Sequence, residues 1–260
     1  GSTIRDRVVG AEEGTVQTAG AGNVAAQPVP LASVKAINPK EKWTGAVVVG
    51  GFLARGNTNS ESLNITLDAT RRREDDRISF AGGYFFQRQE SSDGQKETSI
   101  DNWFAQGKYD YFFTEKFYGY GLFRVERDRI ADLDLRLAPS VGVGYQWIES
   151  ERQNFSTEAG IGWVYEEYDP GGTDEHIAGR LAYHYDQTIN DKVKFFHNFE
   201  YLPSLEDFGD YNLRADVGIR ADLTARMFTE FKIEWLYDST PAPGNSENDL
   251  RYILGVGWAF

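Results

Sequence analysis

The chain has 260 residues, no cysteine, one methionine and 14% aromatic residues, and 40 acidic against 27 basic side chains give it a net charge of −13. Without cysteine there is neither a disulfide framework nor a thiolate metal site. So acidic a chain lacks the basic patch that a phosphate backbone requires, which excludes nucleic acid as a partner.

Residues 1–42 form a separate N-terminal segment, short, rich in Ala, Gly and Val, and interrupted by QPVPL. Read from composition alone it is a flexible arm. Its start, GSTIRD, has neither the basic region nor the apolar stretch of a signal peptide.

From Trp43 the hydrophobic period is two. Strand-like segments are predicted near 43–55, 61–71, 77–88, 99–112, 117–128, 134–148, 154–166, 176–187, 192–202, 211–223, 228–238 and 249–260. No amphipathic helical pattern is sustained. The longest apolar runs, AVVVGGFLA and YILGVGWAF, reach about half of the ~20 residues that a membrane helix needs, yet suit the ~9–11 of a membrane strand. Residues 43–260 therefore predict one all-β domain of twelve antiparallel strands.

The links alternate in length. RREDDR, FFTEKF, IESERQ, TINDKV and TARMF are tight, whereas ESSDGQKETS, RDRIADLD, EYDPGGTDEH, PSLEDFGDY and STPAPGNSEND are longer, acidic and rich in Gly or Pro. The hairpin ARGNTNSES is short but falls on the long-loop side. Short turns at one end and longer loops at the other are the pattern of a transmembrane β-barrel, with both termini at the short-turn, periplasmic end of a bacterial outer membrane.

Within each segment one parity is apolar and the other polar or small. Leu63, Ile65, Leu67 and Ala69 alternate with Asn64, Thr66 and Asp68; Phe231, Ile233, Trp235 and Tyr237 alternate with Lys232 and Glu234. A β-sandwich would bury the apolar set, and a membrane barrel would turn it toward lipid. Aromatic placement decides between them. Tyr109, Tyr111, Tyr145, Trp147, Tyr183, Tyr185, Trp258 and Phe260 cluster toward the short turns, and Trp163, Tyr165, Phe199, Tyr201, Trp235 and Tyr237 toward the long loops. Two such girdles match the two headgroup levels of a bilayer.

The opposite parity predicts a lumen lined by Lys108, Arg124, Arg136, Glu158, Arg180, Arg214, Asp216, Arg220, Asp222, Lys232, Glu234 and Arg251, with Asp68, Asp110, Glu126, Glu166, Lys194, Glu200 and Asp249 also inward. The signs are mixed, so no single-sign ring imposes strong selectivity. Inward glycines at 142, 144, 160, 162, 255 and 257 are expected to leave space for water. A narrow pore and a lumen closed by Arg–carboxylate pairs both fit this set.

The three histidines, His176, His184 and His197, are the residues best suited to acid–base or metal chemistry. His176 falls in the acidic stretch DEHIAG and reads as solvated; His184 reads as part of a lumen ion network. His197 has outward parity and reads as a partner for an interfacial Tyr or a contact between protomers. No serine of matching parity accompanies His197 on the flanking strands, and Asp174, Glu175 and His176, read as loop neighbours, point in different directions. No catalytic residue, metal site or cofactor is predicted. The acidic loops ESSDGQKE, DPGGTDE and LEDFGD could at most hold divalent cations loosely.

The opening WTGAVVVGGFLARGNTNSESLNITLDATRRRED, with Trp43, Gly45 and the Gly56-Asn57-Thr58 hairpin, resembles the YdiY-like family of salt-induced outer-membrane proteins, a domain of unknown function. The resemblance extends over about 43–260 and implies no agreed substrate or catalytic residue. It implies that residues 1–42 are a partial copy of a small periplasmic β-module, with Val8, Val9, Val16, Val34 and Ile37 as strand residues. The ending Tyr252-x-Leu254-x-Val256-x-Trp258-x-Phe260 resembles the signal read by the outer-membrane assembly machinery, which implies a transient partner there besides lipid. A homo-oligomer is compatible with the outward apolar band. The expected function is passive diffusion of small solutes or ions through a narrow lumen. The alternatives are a non-conducting structural or interaction barrel and, third, an outer-membrane hydrolase.

Overall fold

The computed structural model describes residues 8–12, 15–18, 28–30, 42–55, 59–90, 94–241 and 245–260. The Gly56-Asn57-Thr58 turn and the expected strand residues Val34 and Ile37 lie outside them. The chain divides into two compact units, residues 1–41 and 42–260.

The first unit contains an antiparallel three-stranded sheet of β1 (Val8–Glu12), β2 (Thr15–Thr18) and β3 (Pro28–Pro30), in that order. Val8, Val9 and Val16 stand in its strands.

The second unit is all-β among the described residues. Its elements are β4 (Thr44–Ala54), β5 (Asn59–Arg72), β6 (Asp76–Glu90), β7 (Lys96–Phe112), β8 (Phe117–Asp128), β9 (Leu133–Leu137), β10 (Ser140–Glu149), β11 (Gln153–Tyr168), β12 (Thr173–Asn190), β13 (Val193–Pro203), β14 (Tyr211–Asp222), β15 (Met227–Asp238) and β16 (Asn248–Ala259). Each pairs antiparallel with its neighbours, and β16 returns to β4 through Val256↔Val49, Gly257↔Val48, Trp258↔Val47 and Ala259↔Ala46. Gly45 and Phe260 exchange backbone hydrogen bonds at 3.2 and 3.0 Å, which extends this seam to the last residue. The thirteen segments make a closed barrel of twelve strands, because β9 and β10 share one place between β8 and β11. Closure joins the two edge strands of the sheet to each other, the condition for a sheet to stand in hydrocarbon.

The β9–β10 interruption falls at Ala138-Pro139, where the expected strand 134–148 was continuous. Proline has no N–H to give the ladder. Its carbonyl still accepts from Trp163 N at 3.1 Å, and Ala138 N donates to Arg124 O at 2.9 Å, so the wall is held on both sides of the break. Parity survives it: Arg136 and Ser140 both face inward.

The apolar parity faces out. Leu250, Tyr252, Leu254, Val256, Trp258 and Phe260 on and just after β16 are 48–67% exposed, whereas Ile253 between them is 4% exposed. Ile219 is likewise 45% exposed while Arg220 turns inward to Glu230 and Asp68. A sandwich, which would bury these residues, is excluded.

The inward glycines at 142, 144 and 257 do not border empty space, contrary to expectation. Tyr118 lies opposite Gly144 and Tyr120 opposite Gly142 in register, and their rings fill the space where a Cβ would stand. Phe196 covers Gly218 and Phe228 covers Gly257 in the same way. An aromatic ring lying over a cross-strand glycine shields its backbone and packs flat on the sheet. With Phe112 and Leu122, the two tyrosines form a buried cluster inside the barrel. Replacing Gly144 by valine is expected to destabilise the barrel by about 1–3 kcal/mol, since Tyr118 cannot withdraw from a packed interior. A urea unfolding series of the lipid-inserted protein checks this.

Candidate functional site

The barrel interior holds the chemistry. Alternation along each strand sends the charged residues inward, and the closure register decides which of them meet. At the centre, Glu126 on β8 accepts hydrogen bonds from Arg124 at 2.7 Å, from Arg136 at 3.0 Å and from Arg214. Arg136 also binds Glu166, and Asp238 at 3.2 Å. Arg180 bridges Glu158 at 2.7 Å and Glu200 at 2.5 Å, and Arg214 completes the set with Glu200 at 3.6 Å.

Several of these pairs join strands that are not neighbours. Arg214 on β14 reaches Glu126 on β8, and Arg136 on β9 reaches Asp238 on β15, each spanning the lumen. Arg220 reaches Asp68 on β5 at 3.1 Å. Arg251 binds Glu234 at 3.3 Å and extends across to Asp128 at 3.7 Å. Lys108 joins Asp110 at 2.8 Å and crosses to Glu158, which also accepts from Tyr118 Oη at 2.8 Å. Lys232 pairs with Glu234 at 3.4 Å, and Asp216 accepts from Asn198 Nδ2 at 2.8 Å. Asp222, at the last position of β14, is exposed at the short-turn end.

This network divides the interior. A cavity of about 690 Å³ opens toward the short-turn end, lined among others by Thr44, Arg72, Lys108, Glu158 and His184. A smaller one of about 130 Å³ lies toward the long loops, lined by Asp128, Arg136, Asp238 and Asp249. Phe104, Arg124, Arg214, Glu234 and Leu236 border both. The charged layer thus forms a septum between two polar chambers. Aromatic rings hold its cations from the side: Arg124 over Phe104 at 4.2 Å, Arg180 over Tyr120 at 5.1 Å and Lys108 over Tyr118 at 5.3 Å. Sequence parity identified the charged residues, Asp110, Glu126 and Glu166 among them, but missed Glu230 and these inward rings as site members. The signal available for the rings was each aromatic paired with a glycine.

Outside, the aromatics form contact ladders. Tyr145 packs on Trp147 at 4.6 Å between centroids, Trp163 on Tyr165 at 5.6 Å, Trp235 on Tyr237 at 6.2 Å and Tyr183 on Phe199 at 5.7 Å. Tyr185 adjoins Phe195, and Tyr109, Tyr111, Trp258 and Phe260 stand exposed on the same outer face.

The histidines part ways. His197 faces outward and hydrogen-bonds Tyr183 Oη through Nδ1 at 2.7 Å. His184 faces inward with Nε2 3.0 Å from Asp186 and Nδ1 on Asn198. Ser156 lies directly opposite His184 in register, but both ring nitrogens are already engaged, so no Ser–His pair forms. His176 corrects the sequence reading: β12 begins at Thr173, and His176 is a strand residue only 8% exposed.

The family model described as "Protein of unknown function, DUF481" matches residues 47–260. The chain belongs to this family. No curated protein matches it. Among solved structures, an outer-membrane channel from Pseudomonas putida F1 shares 11% identity with a TM-score of 0.51, over 89% of this chain and 100% of that one. The NanC porin shares 11% identity with a TM-score of 0.50, over 82% and 98%. At such identity the likeness is one of fold, and the fold is that of outer-membrane barrels.

Proposed function

We propose that the protein is a narrow outer-membrane channel for inorganic ions and small polar solutes, with both termini periplasmic and no bond chemistry of its own. The observation that carries this reading is the pair of polar chambers meeting at Arg124, Arg214 and Glu234. A solute passing between them exchanges water for alternating guanidinium and carboxylate contacts. A lumen of mixed sign imposes no strong charge selectivity and leaves small polar solutes and inorganic ions as its cargo. The wild-type protein is expected to give discrete, low-conductance steps of weak ion preference in a planar bilayer.

A second reading, a non-conducting barrel, is favoured by the Arg136–Asp238 and Arg214–Glu126 bridges that cross the lumen. Bilayer recordings separate the two. Folded protein that yields no steps, even after Arg214→Ala, overturns the channel.

A further inference from the structure

We propose that Asp174, His176 and Asp210 form a binding site for a zinc-class divalent cation at the long-loop mouth of the barrel. Asp174 belongs to the acidic stretch DPGGTDE, His176 follows it directly, and Asp210 closes the separate acidic stretch LEDFGD. Asp174 and His176 are two apart on β12 and so share a face. Asp210 immediately precedes β14 and arrives from a well-anchored connection. Ser204 N donates to Asp210 O at 2.8 Å, Asp210 N to Asp207 O at 2.9 Å, and Ser204 bridges Ala178 of β12.

The geometry is that of three converging ligands. His176 Nδ1 lies 3.3 Å from Asp174 Oδ2 and 3.9 Å from Asp210 Oδ2, and all three donor atoms fall within 4.8 Å of one another. Zinc bonds of about 2.0–2.2 Å in tetrahedral array place ligand atoms roughly 3.3–3.5 Å apart. A shift of about half an ångström brings Asp210 to that spacing from His176, and the two carboxylate oxygens start within 4.8 Å of each other. One imidazole and two carboxylates suit zinc and its first-row neighbours better than calcium, which takes six to eight oxygens. The ring is buried although its polar neighbours are two anions, and a cation between them would neutralise that crowding. Asp210 is also aimed from behind: Thr240 Oγ1 donates to its other oxygen, Oδ1, at 2.6 Å, which turns Oδ2 toward His176. Outer hydrogen bonds of this kind orient metal-binding carboxylates. Asp174 is 61% exposed, so the remaining coordination positions open to solvent.

The test uses the full chain, folded in detergent and stripped with a chelator, and titrates Zn²⁺ alone by calorimetry. One ion per chain is expected. His176→Ala and Asp174→Asn are expected to weaken binding by at least about tenfold, and Thr240→Val by about tenfold through loss of orientation. His197→Ala, on the outer wall, leaves it unchanged. Co²⁺ should give visible ligand-field bands that disappear in His176→Ala. Asp174→Asn alters an exposed side chain and separates lost ligation from lost folding. Absence of a one-to-one isotherm overturns the site; so does an isotherm that His176→Ala and Asp174→Asn leave intact, which would place the metal on other acidic groups. Neither outcome bears on conductance, so the channel reading stands or falls separately.

Discussion

Glu126→Gln is expected to destabilise the barrel by about 3–5 kcal/mol and to shift its bilayer reversal potential toward anions. Glu126 is buried and is the shared acceptor of Arg124, Arg136 and Arg214. Glutamine keeps the shape and removes the charge. Arg136 then retains Glu166 and Asp238, and Arg214 retains Glu200 at 3.6 Å. Arg124 loses its ion pair and keeps the amide oxygen of Gln106 at 3.4 Å and the ring face of Phe104 at 4.2 Å. An uncompensated guanidinium in a restricted interior either drives local rearrangement or draws in an anion. Both effects come from one side chain, and two measurements read them: urea unfolding in lipid vesicles and reversal potential under a salt gradient. An unchanged unfolding midpoint would show that the other carboxylates already neutralise the cluster. An unchanged reversal potential with a lowered midpoint would take the septum off the conduction path.

The barrel was legible because period-two alternation over twelve segments is a local property: each strand displays its own two faces. Strand ends were less legible. The acidic residues at the start of β12 look like loop, yet Asp174 to Glu175 continue the ladder to β11 through Glu166↔Asp174 and Tyr165↔Glu175. Side-chain polarity says nothing about whether a backbone is paired beyond the membrane. His176 was misplaced for that reason. Parity told which charges face inward, but not which of them meet. Arg214 and Glu126 are 88 residues apart, and only the closure register sets them at one height. Gly144 read as empty space because its own strand gives no account of Tyr118, two elements earlier in the chain. Pro139 was visible as a residue without a donor, and the break in the strand is its direct consequence.

The same argument about solvent yields the remaining large effect. Leu254→Arg is expected to reduce the unfolding free energy in lipid by about 2–4 kcal/mol, and Leu250→Arg by about 0–1 kcal/mol. Both leucines sit on the outer face of β16, at 67% and 53% exposure. They differ in height: four residues at about 3.3 Å each separate them along the strand. Leu254 lies mid-strand opposite Phe231, and Leu250 lies opposite Trp235 in the upper aromatic girdle. Water would treat the two positions alike, because an exposed arginine on either costs within about 0.5 kcal/mol. Hydrocarbon cannot, because a guanidinium at its centre must drag water or headgroups inward, whereas one at the girdle reaches them by extending. Equal, small effects at both sites would mean that the outer face meets an aqueous or protein environment rather than acyl chains. A graded loss with depth would identify the solvent of this face as the bilayer, which is the condition for a strand such as Leu250 to Phe260 to expose so much apolar surface in a chain of net charge −13.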